Sequence, residues 1–233
     1  WLQPLAREHA LDPLSVRTAS ADASFRRYFR VDSAHGTRII MDAPPDKENC
    51  EPFVRIAGLM QEAGLLVPRI LDWDRTNGFM LLDDLGTHTM MEVIDRDHPS
   101  ANLPLYRRAT EALLAWQQAS RPDVLPAYDE ALLQRELSLF PDWYLSQHRG
   151  MAVEGELRQT LDAQFALIVE RNLAWPSVFV HRDFMPRNLM VPADPSEPRL
   201  GVLDFQDAVY GPITYDIASL MRDAFLSWEE EHV

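Results

Sequence analysis

Val180-His181-Arg182-Asp183-Phe184-Met185-Pro186-Arg187-Asn188-Leu189-Met190-Val191 and, a little further on, Leu203-Asp204-Phe205-Gln206 are the stretches on which the reading of this chain turns. They set a carboxylate at Asp183, an amide at Asn188 and a second carboxylate at Asp204, the last at the end of an apolar run. Singly, each is an ordinary loop residue, since Asp and Asn form turns and caps. Jointly they are the parts that phosphoryl transfer requires. One carboxylate orients or deprotonates the attacking hydroxyl, while an amide oxygen and another carboxylate hold Mg²⁺ against a triphosphate. The spacing nominates Asp183 as the catalytic base, Asn188 and Asp204 as metal ligands, and His181 as structural support of the loop.

Working outward, residues 177–180 and 200–203 are short apolar runs that read as strands on either side of this loop. Residues 103–120, 128–147 and 154–173 have the periodicity of amphipathic helices, and 215–228 reads as a last helix. The beginning of the chain is different. Residues 15–19, 25–32 and 37–41 are β-rich runs separated by the turn-like Ser20-Ala21-Asp22-Ala23 and Ser33-Ala34-His35-Gly36. Residues 51–63 carry Phe53, Ile56, Leu59 and Met60 at helical spacing, with Gly64 at the end, and strands follow at 69–72 and 79–82. The fold class expected is therefore α+β and bilobal. Residues 1–82 form a β-rich N-lobe of antiparallel sheet plus one helix, Asp83-Asp84-Leu85-Gly86-Thr87-His88 a hinge, and residues 89–233 a helical C-lobe carrying the two loops. A cleft between lobes is where a ligand usually sits.

With 233 residues, 46% of them hydrophobic, the chain can bury one or two cores. Its formal net charge of −14 speaks against a nucleic-acid partner. No stretch approaches the roughly 18–20 apolar residues of a membrane span, and no signal-peptide pattern opens the chain, so no membrane partner is expected. Cys50 stands alone, which excludes an intrachain disulfide and fits a cytoplasmic location. Lys47 is the only lysine, so any task usually given to a lysine falls to it, to an arginine, or to nothing. The chain opens at Trp1 without an initiator Met and reads as part of a longer protein. Its oligomeric state is not legible.

The segment His181-Arg182-Asp183 with Asn188 has the order of the kinase catalytic loop, H-R-D-x-x-x-x-N. Asp204-Phe205-Gln206-Asp207-Ala208, then Gly211-Pro212 and Tyr215-Asp216-Ile217-Ala218, resembles the aminoglycoside phosphotransferase and choline-kinase superfamily rather than the eukaryotic protein kinases. No long activation segment and no Ala-Pro-Glu follow. Ala63-Gly64-Leu65-Leu66-Val67-Pro68-Arg69 and Leu81-Leu82-Asp83-Asp84-Leu85-Gly86 fit the N-lobe and hinge of that family, and the resemblance covers residues 13–228. Within it, three segments resemble one branch, the bacterial anomeric sugar kinases of cell-wall recycling. They are Asp22-Ala23-Ser24-Phe25-Arg26-Arg27-Tyr28-Phe29-Arg30-Val31, Met41-Asp42-Ala43-Pro44-Pro45 and Arg135-Glu136-Leu137-Ser138-Leu139-Phe140-Pro141-Asp142-Trp143-Tyr144. The resemblance implies a protein-kinase-like fold, ATP and Mg²⁺ as cofactors, and phosphorylation of the 1-hydroxyl of N-acetylmuramic acid and N-acetylglucosamine. It also implies that Asp216 braces the catalytic loop. Members of the branch are longer, so C-terminal helices that help form the substrate pocket are expected to be missing here.

Several positions depart from the family pattern. The turn over the phosphates lacks glycines and reads Ser20 to Ser24, whose N–H groups and Ser24 hydroxyl are left to cradle a phosphate. The strand that in the family ends in an ATP-binding lysine reads Arg38-Ile39-Ile40-Met41. The missing charge is expected from Arg26, Arg27 or Arg30, with Glu48 or Glu51 to pair one of them; otherwise these arginines are a solvated strand face. Met185 stands where protein kinases place a lysine, and Arg187 is expected to compensate. Adenine is expected on the backbone near Leu82, Asp83 and Asp84. For an amino sugar, Trp143 and Tyr144 are stacking candidates and Glu136 and Asp207 hydroxyl-binding candidates, although aromatics at helical spacing also build cores. Two other readings stay open. One changes the acceptor to an aminoglycoside, choline or another amino alcohol, or a sugar amine. The other is a catalytically inactive nucleotide-binding module, which the missing lysine suggests and the intact Asp183, Asn188 and Asp204 oppose.

Overall fold

The β-rich runs at the start of the chain form one sheet whose two faces are covered by different helices. A computed structural model describes residues 1–21 and 25–230, with the backbone alone at 20 and 21. The elements run α1 (Leu2–Glu8), β1 (Leu11–Ala21), β2 (Arg27–Ser33), β3 (Gly36–Asp42), α2 (Glu51–Glu62), β4 (Ile70–Asp74) and β5 (Phe79–Asp83). The strand order is β1-β2-β3-β5-β4, antiparallel throughout. Side chains alternate between faces along each strand. Tyr28, Ile39, Met41, Met80 and Leu82 share the inner face and pack with Phe53, Ile56 and Met60 of α2. Val31, Ile40 and Leu81 share the outer face, where Leu5 of α1 and Leu11 cover them. α1 was not anticipated from the sequence: seven residues with one buried side chain carry too little periodicity to register.

The rest of the chain is mainly helical. It comprises β6 (His88–Thr89), α3 (Met90–Val93), α4 (Leu103–Gln118), α5 (Glu130–Leu139), α6 (Gly155–Leu173), β7 (Ser177–Val180), β8 (Leu189–Val191), β9 (Gly201–Val202), β10 (Val209–Pro212) and α7 (Tyr215–Met221). β7 pairs with β10, and β6, β8 and β9 form a second small sheet. The molecule is thus of the expected mixed α+β class, with its large sheet first and its helices after. No helix among the described residues is long and apolar enough to cross a membrane.

The boundaries differ from the sequence reading where side chains or distant backbone intervene. β5 takes in Asp83, which pairs across to Arg38 instead of opening the connection. The single helix expected over 128–147 is divided. The Tyr128 N–H donates to the Tyr210 carbonyl at 2.8 Å, so α5 starts only after Asp129, whose side chain caps it by accepting from the Leu132 N–H at 2.9 Å. Pro141 has no N–H to donate, and the helix continues as a π-helical stretch over Phe140–His148. The last helix stops at Met221 because the Asp223 carboxylate takes the N–H groups of Phe225 and Leu226 into a turn. Gly211 lets β10 lie against the segment before α5: a Cβ there would meet Tyr128 Cβ at 2.4 Å.

One buried cluster ties the two halves together. It runs from Met41, Met80 and Leu82 through Phe53 to Leu189, Val202 and Phe205, and on to Trp116 and Phe179. The Phe53 and Phe205 rings lie 4.9 Å apart. That contact seats α2 directly on the loop that begins with Asp204.

Candidate active site

The loop after β7 is held mainly by backbone hydrogen bonds. Asp216, fully buried at the start of α7, accepts the His181 N–H at 2.7 Å and the Arg182 N–H at 3.0 Å. The His181 ring, also fully buried, lies with Nε2 3.0 Å from the Leu203 carbonyl, and its Nδ1 accepts the Asp183 N–H at 3.2 Å. Burial lowers this imidazole to about 4, so it is neutral, with Nε2 as the donor and Nδ1 as the acceptor. Burial pushes the Asp216 carboxyl up to about 7, against the two N–H bonds that favour its ionised form. Arg182 and Asp204 adopt φ values of 80° and 62°, in the left-handed region that costs a non-glycine residue energy and that clusters at functional sites.

The Asn188 side chain joins the Asp183 backbone to the Asp204 side chain. Asn188 Nδ2 donates to the Asp183 carbonyl at 2.9 Å and lies 3.5 Å from Asp204 Oδ2, while the Leu203 N–H donates to the Asn188 carbonyl at 3.0 Å. Gln206 Nε2 donates to Asp204 Oδ1 at 2.8 Å. Desolvation first, and the facing Asp204 second, push the Asp183 carboxyl above the usual range; Arg182 opposes them, and Asp207 and Glu136 add to the rise. The Asn188 amide oxygen and the Asp204 carboxylate are hard oxygen donors. Among the described residues no group of three or more His, Cys, Asp or Glu could hold a metal. A sparse set of one amide and one carboxylate fits Mg²⁺, which takes its remaining ligands from water and phosphate oxygens rather than from a protein cage.

A cleft of about 360 Å³ opens above these residues. Tyr28, Arg30, Ile39 and Leu82 line it from the sheet, Phe53 from α2, and Arg187, Asn188, Asp204 and Phe205 from below. Asp83, Asp84, Leu85, Gly86 and Thr87 form its back edge. The carboxylates on that edge are already engaged. Asp83 pairs with Arg69. Asp84 is nearly buried and binds Arg30 through both oxygens; it also accepts from Thr37 Oγ1 at 2.6 Å and the Gly86 N–H at 3.1 Å. Its carboxyl is held below the usual range by these bonds against the opposing effect of burial, the largest single influence on it. Gly86 has a φ of 121°, which a side chain rarely adopts, and its carbonyl accepts a second Arg30 N–H at 2.9 Å.

The sequence-nominated arginines are thereby separated. Arg30 lines the cleft but is locked to Asp84. Arg27 points to the outer face and pairs with Asp42. Arg26 pairs with Glu48 at 3.1 Å, while Glu51 pairs with Arg75. Arg187 is exposed, with its guanidinium 4.8 Å from the Phe225 ring centre. Ser24 and the turn over 22–24 lie outside the described residues.

The acceptor candidates divide in a similar way. Glu136 lies next to the catalytic loop and is tied up there: it pairs with the Arg182 guanidinium and accepts from the Tyr128 and Tyr215 hydroxyls. The Asp207 side chain is exposed, and its carbonyl accepts from Arg182 at 3.5 Å. Trp143 is 66% exposed on the π-helical stretch, and Tyr144 stacks between Phe140 and His148. Nothing in the sequence singled out Tyr128 and Tyr215 as partners of Glu136, since the three meet only when α5, β10 and α7 pack. Glu136→Gln is expected to cost about 1–3 kcal/mol of stability, because it leaves the half-buried Arg182 guanidinium without its charge partner. Denaturant unfolding measures this, and a loss below about 0.5 kcal/mol, the range of ordinary surface changes, would show the cluster to be incidental.

The architecture is that of the kinase-like phosphotransferases. A putative aminoglycoside phosphotransferase from Ralstonia eutropha superposes with a TM-score of 0.62 at 15% identity, over 98% of this chain and 70% of that one. Aminoglycoside phosphotransferase APH(4)-Ia, as a thermostable mutant with ADP and hygromycin B bound, superposes with a TM-score of 0.61 at 14% identity, over 93% and 74% of the two chains. At such identities the likeness is one of fold. A family model described as the phosphotransferase enzyme family matches residues 15–233, and the chain belongs to that family. Among curated proteins, the N-acetylmuramate/N-acetylglucosamine kinase of Pseudomonas aeruginosa is 52% identical over 221 residues, 95% of this chain and 63% of that protein. Those of Pseudomonas putida and Neisseria meningitidis are 48% and 41% identical, over 94% and 100% of this chain and 62% and 68% of theirs. The chain thus spans a little under two thirds of the length of the two Pseudomonas relatives.

Proposed function

We propose that the protein is an ATP-dependent kinase that phosphorylates the anomeric hydroxyl of N-acetylmuramic acid and N-acetylglucosamine, working in the cytoplasm in peptidoglycan recycling. The observation that carries the reading is that Asn188 and Asp204 line one cleft while the Asn188 amide also holds the backbone of Asp183. The relatives at 52% and 48% identity supply the acceptor. The triphosphate enters between the sheet and the catalytic loop. Adenine rests on Ile39 and Leu82 and is read by backbone groups around Leu82, Asp83 and Asp84, since both carboxylates there are committed to arginines. Residues 84–88 serve as the hinge between the lobes. Asn188 and Asp204 would hold Mg²⁺, which when bound neutralises charge on the triphosphate oxygens. Arg187, at the mouth of the cleft, faces the phosphoryl group in transfer. Asp183 accepts a hydrogen bond from the sugar hydroxyl, orients it in line with the γ-phosphorus and takes its proton as the new P–O bond forms. His181 and Asp216 hold Asp183 in place through the loop backbone. Trp143 and Tyr144 are the aromatic candidates for stacking on the sugar ring.

Phosphorus NMR of the product decides the acceptor and its position. Incubation of the complete protein with ATP, Mg²⁺ and N-acetylglucosamine or N-acetylmuramic acid is expected to give the sugar 1-phosphate. A 6-phosphate, or phosphocholine formed in preference from choline, would overturn the sugar-1-kinase reading and leave a kinase with another acceptor.

A further inference from the structure

We infer that Arg182, gripped by Glu136 of α5, is a positioning residue for the transfer step, holding the backbone from which Asp183 projects; the inference rests on the kinase reading above. Arg182 directly precedes Asp183 and has a φ of 80°, a conformation that costs a residue with a side chain energy and a glycine almost none. A loop that needed only this bend would be served better by glycine, so the arginine is there for its side chain. Its backbone is held from α7, where Asp216 accepts its N–H at 3.0 Å. Its guanidinium is held from α5, where Glu136 pairs with it. The residue before the proposed base is thus clamped at main chain and side chain by carboxylates from two helices.

Glu136 is itself fixed. One of its oxygens pairs with Arg182, and the other accepts the Tyr128 hydroxyl and, at 3.4 Å, the Tyr215 hydroxyl. Tyr128 is buried, with its ring centre 5.1 Å from that of Tyr215. Burial and the Glu136 carboxylate push its hydroxyl up, so it stays protonated and donates. Tyr215 is the neighbour of Asp216, so the first turn of α7 serves the loop twice, once directly and once through Glu136. α5 runs on into the Phe140–His148 stretch, so the helix that anchors the loop also leads to the candidates for stacking on the sugar ring. Stability alone does not account for the arrangement. A partly buried ion pair is weak support for a fold, because desolvation offsets most of the attraction. Here it also strands a donor: Arg182 Nε is buried and has no hydrogen-bond partner among the described residues. Fixing the position of Asp183 does account for it, since a small displacement of a reacting group slows a reaction by orders of magnitude.

Steady-state kinetics with N-acetylglucosamine, titration with ADP and amide hydrogen exchange, all on the complete protein, test this together. Arg182→Met is expected to lower kcat roughly 10- to 100-fold and to leave the KM for ATP and the affinity for ADP unchanged. Exchange of the Arg182 and Asp183 amides, both hydrogen-bonded in the wild type, is expected to speed up roughly tenfold or more. Arg182→Lys, which keeps a charge for Glu136, is expected to recover most of kcat. Glu136→Gln is expected to lose roughly 5- to 20-fold in kcat, and adding it to Arg182→Met should cost little further, since both remove the same clamp. Leu5→Ala, which removes packing from the outer face of the first sheet, is the control. It is expected to lower the melting temperature at least as much and to leave kcat and loop exchange as in the wild type. Wild-type kcat in Arg182→Met would overturn the inference. So would fully additive losses in the double variant, or kcat losses that follow the melting temperature in Leu5→Ala as they do in Arg182→Met. Should Arg182→Met not fold, unchanged kcat and loop exchange in Glu136→Gln overturn it instead. A wild type that transfers no phosphate to N-acetylglucosamine or N-acetylmuramic acid would sink the sugar-kinase reading, and hydrogen exchange would still decide whether the clamp holds the loop.

Discussion

Asp183→Asn is expected to bind ATP with nearly wild-type affinity and to transfer phosphate at least about a hundredfold more slowly. The substitution keeps the shape of the side chain and removes its ability to take a proton. The position is held through backbone atoms: the Asp183 N–H is bound to His181 Nδ1 and its carbonyl to Asn188 Nδ2, and neither bond involves the carboxylate. The loop should therefore survive the change, and the loss should fall on turnover and not on nucleotide affinity. Steady-state kinetics together with a direct ATP-binding measurement separates the two. Turnover within tenfold of wild type would remove Asp183 from the role of base. A large loss of nucleotide affinity would mean that the carboxylate shapes the cleft instead.

Asp204→Ala is expected to lose about a thousandfold or more in turnover, because a metal held by this carboxylate, as proposed above, would contribute several kcal/mol to the transition state. The carboxylate touches Gln206 and approaches Asn188, and it is exposed at the cleft floor, so little packing is lost with it. The backbone adds a second, separable effect. Asp204 has a φ of 62°, where alanine costs about 1–2 kcal/mol and Asn or Asp less. Asp204→Asn should therefore keep the fold's stability better than Asp204→Ala while losing comparable activity. Thermal melts beside kinetics at several Mg²⁺ concentrations show both effects. Wild-type rates in either variant would refute the assignment of a metal to this carboxylate. Equal stability of the two variants would refute the backbone argument alone.

The candidate loop was legible because its parts are close in sequence and its order is chemical. Asp183, Asn188 and Asp204 were named from spacing, and the packed chain brings them within hydrogen-bonding range of one another's side chains or backbone. The α+β division was legible too, because period-two and helical patterns are local properties. The alternation of β2 even sorts Arg30 from Arg27, once the strands are known to lie side by side.

What only the tertiary structure decided is which partner each charged side chain takes. Asp84 meets Arg30 and Thr37 because β5 pairs with β3 and β3 with β2. Glu136 meets Arg182 because α5 is set back by the bond between Tyr128 and Tyr210. A sequence-level reading offered Glu136 as a candidate for sugar hydroxyls and left three arginines equal, since nothing in residue identity says which charged partner will be near. The ends of α5 and α7 were decided the same way, by Pro141 and Asp223 acting against helical periodicity. Chemistry carried by neighbours in the chain was determined by the sequence itself. Charge pairing between distant segments was determined by strand register and helix packing, because an ion pair depends on a few ångströms that only the folded chain sets.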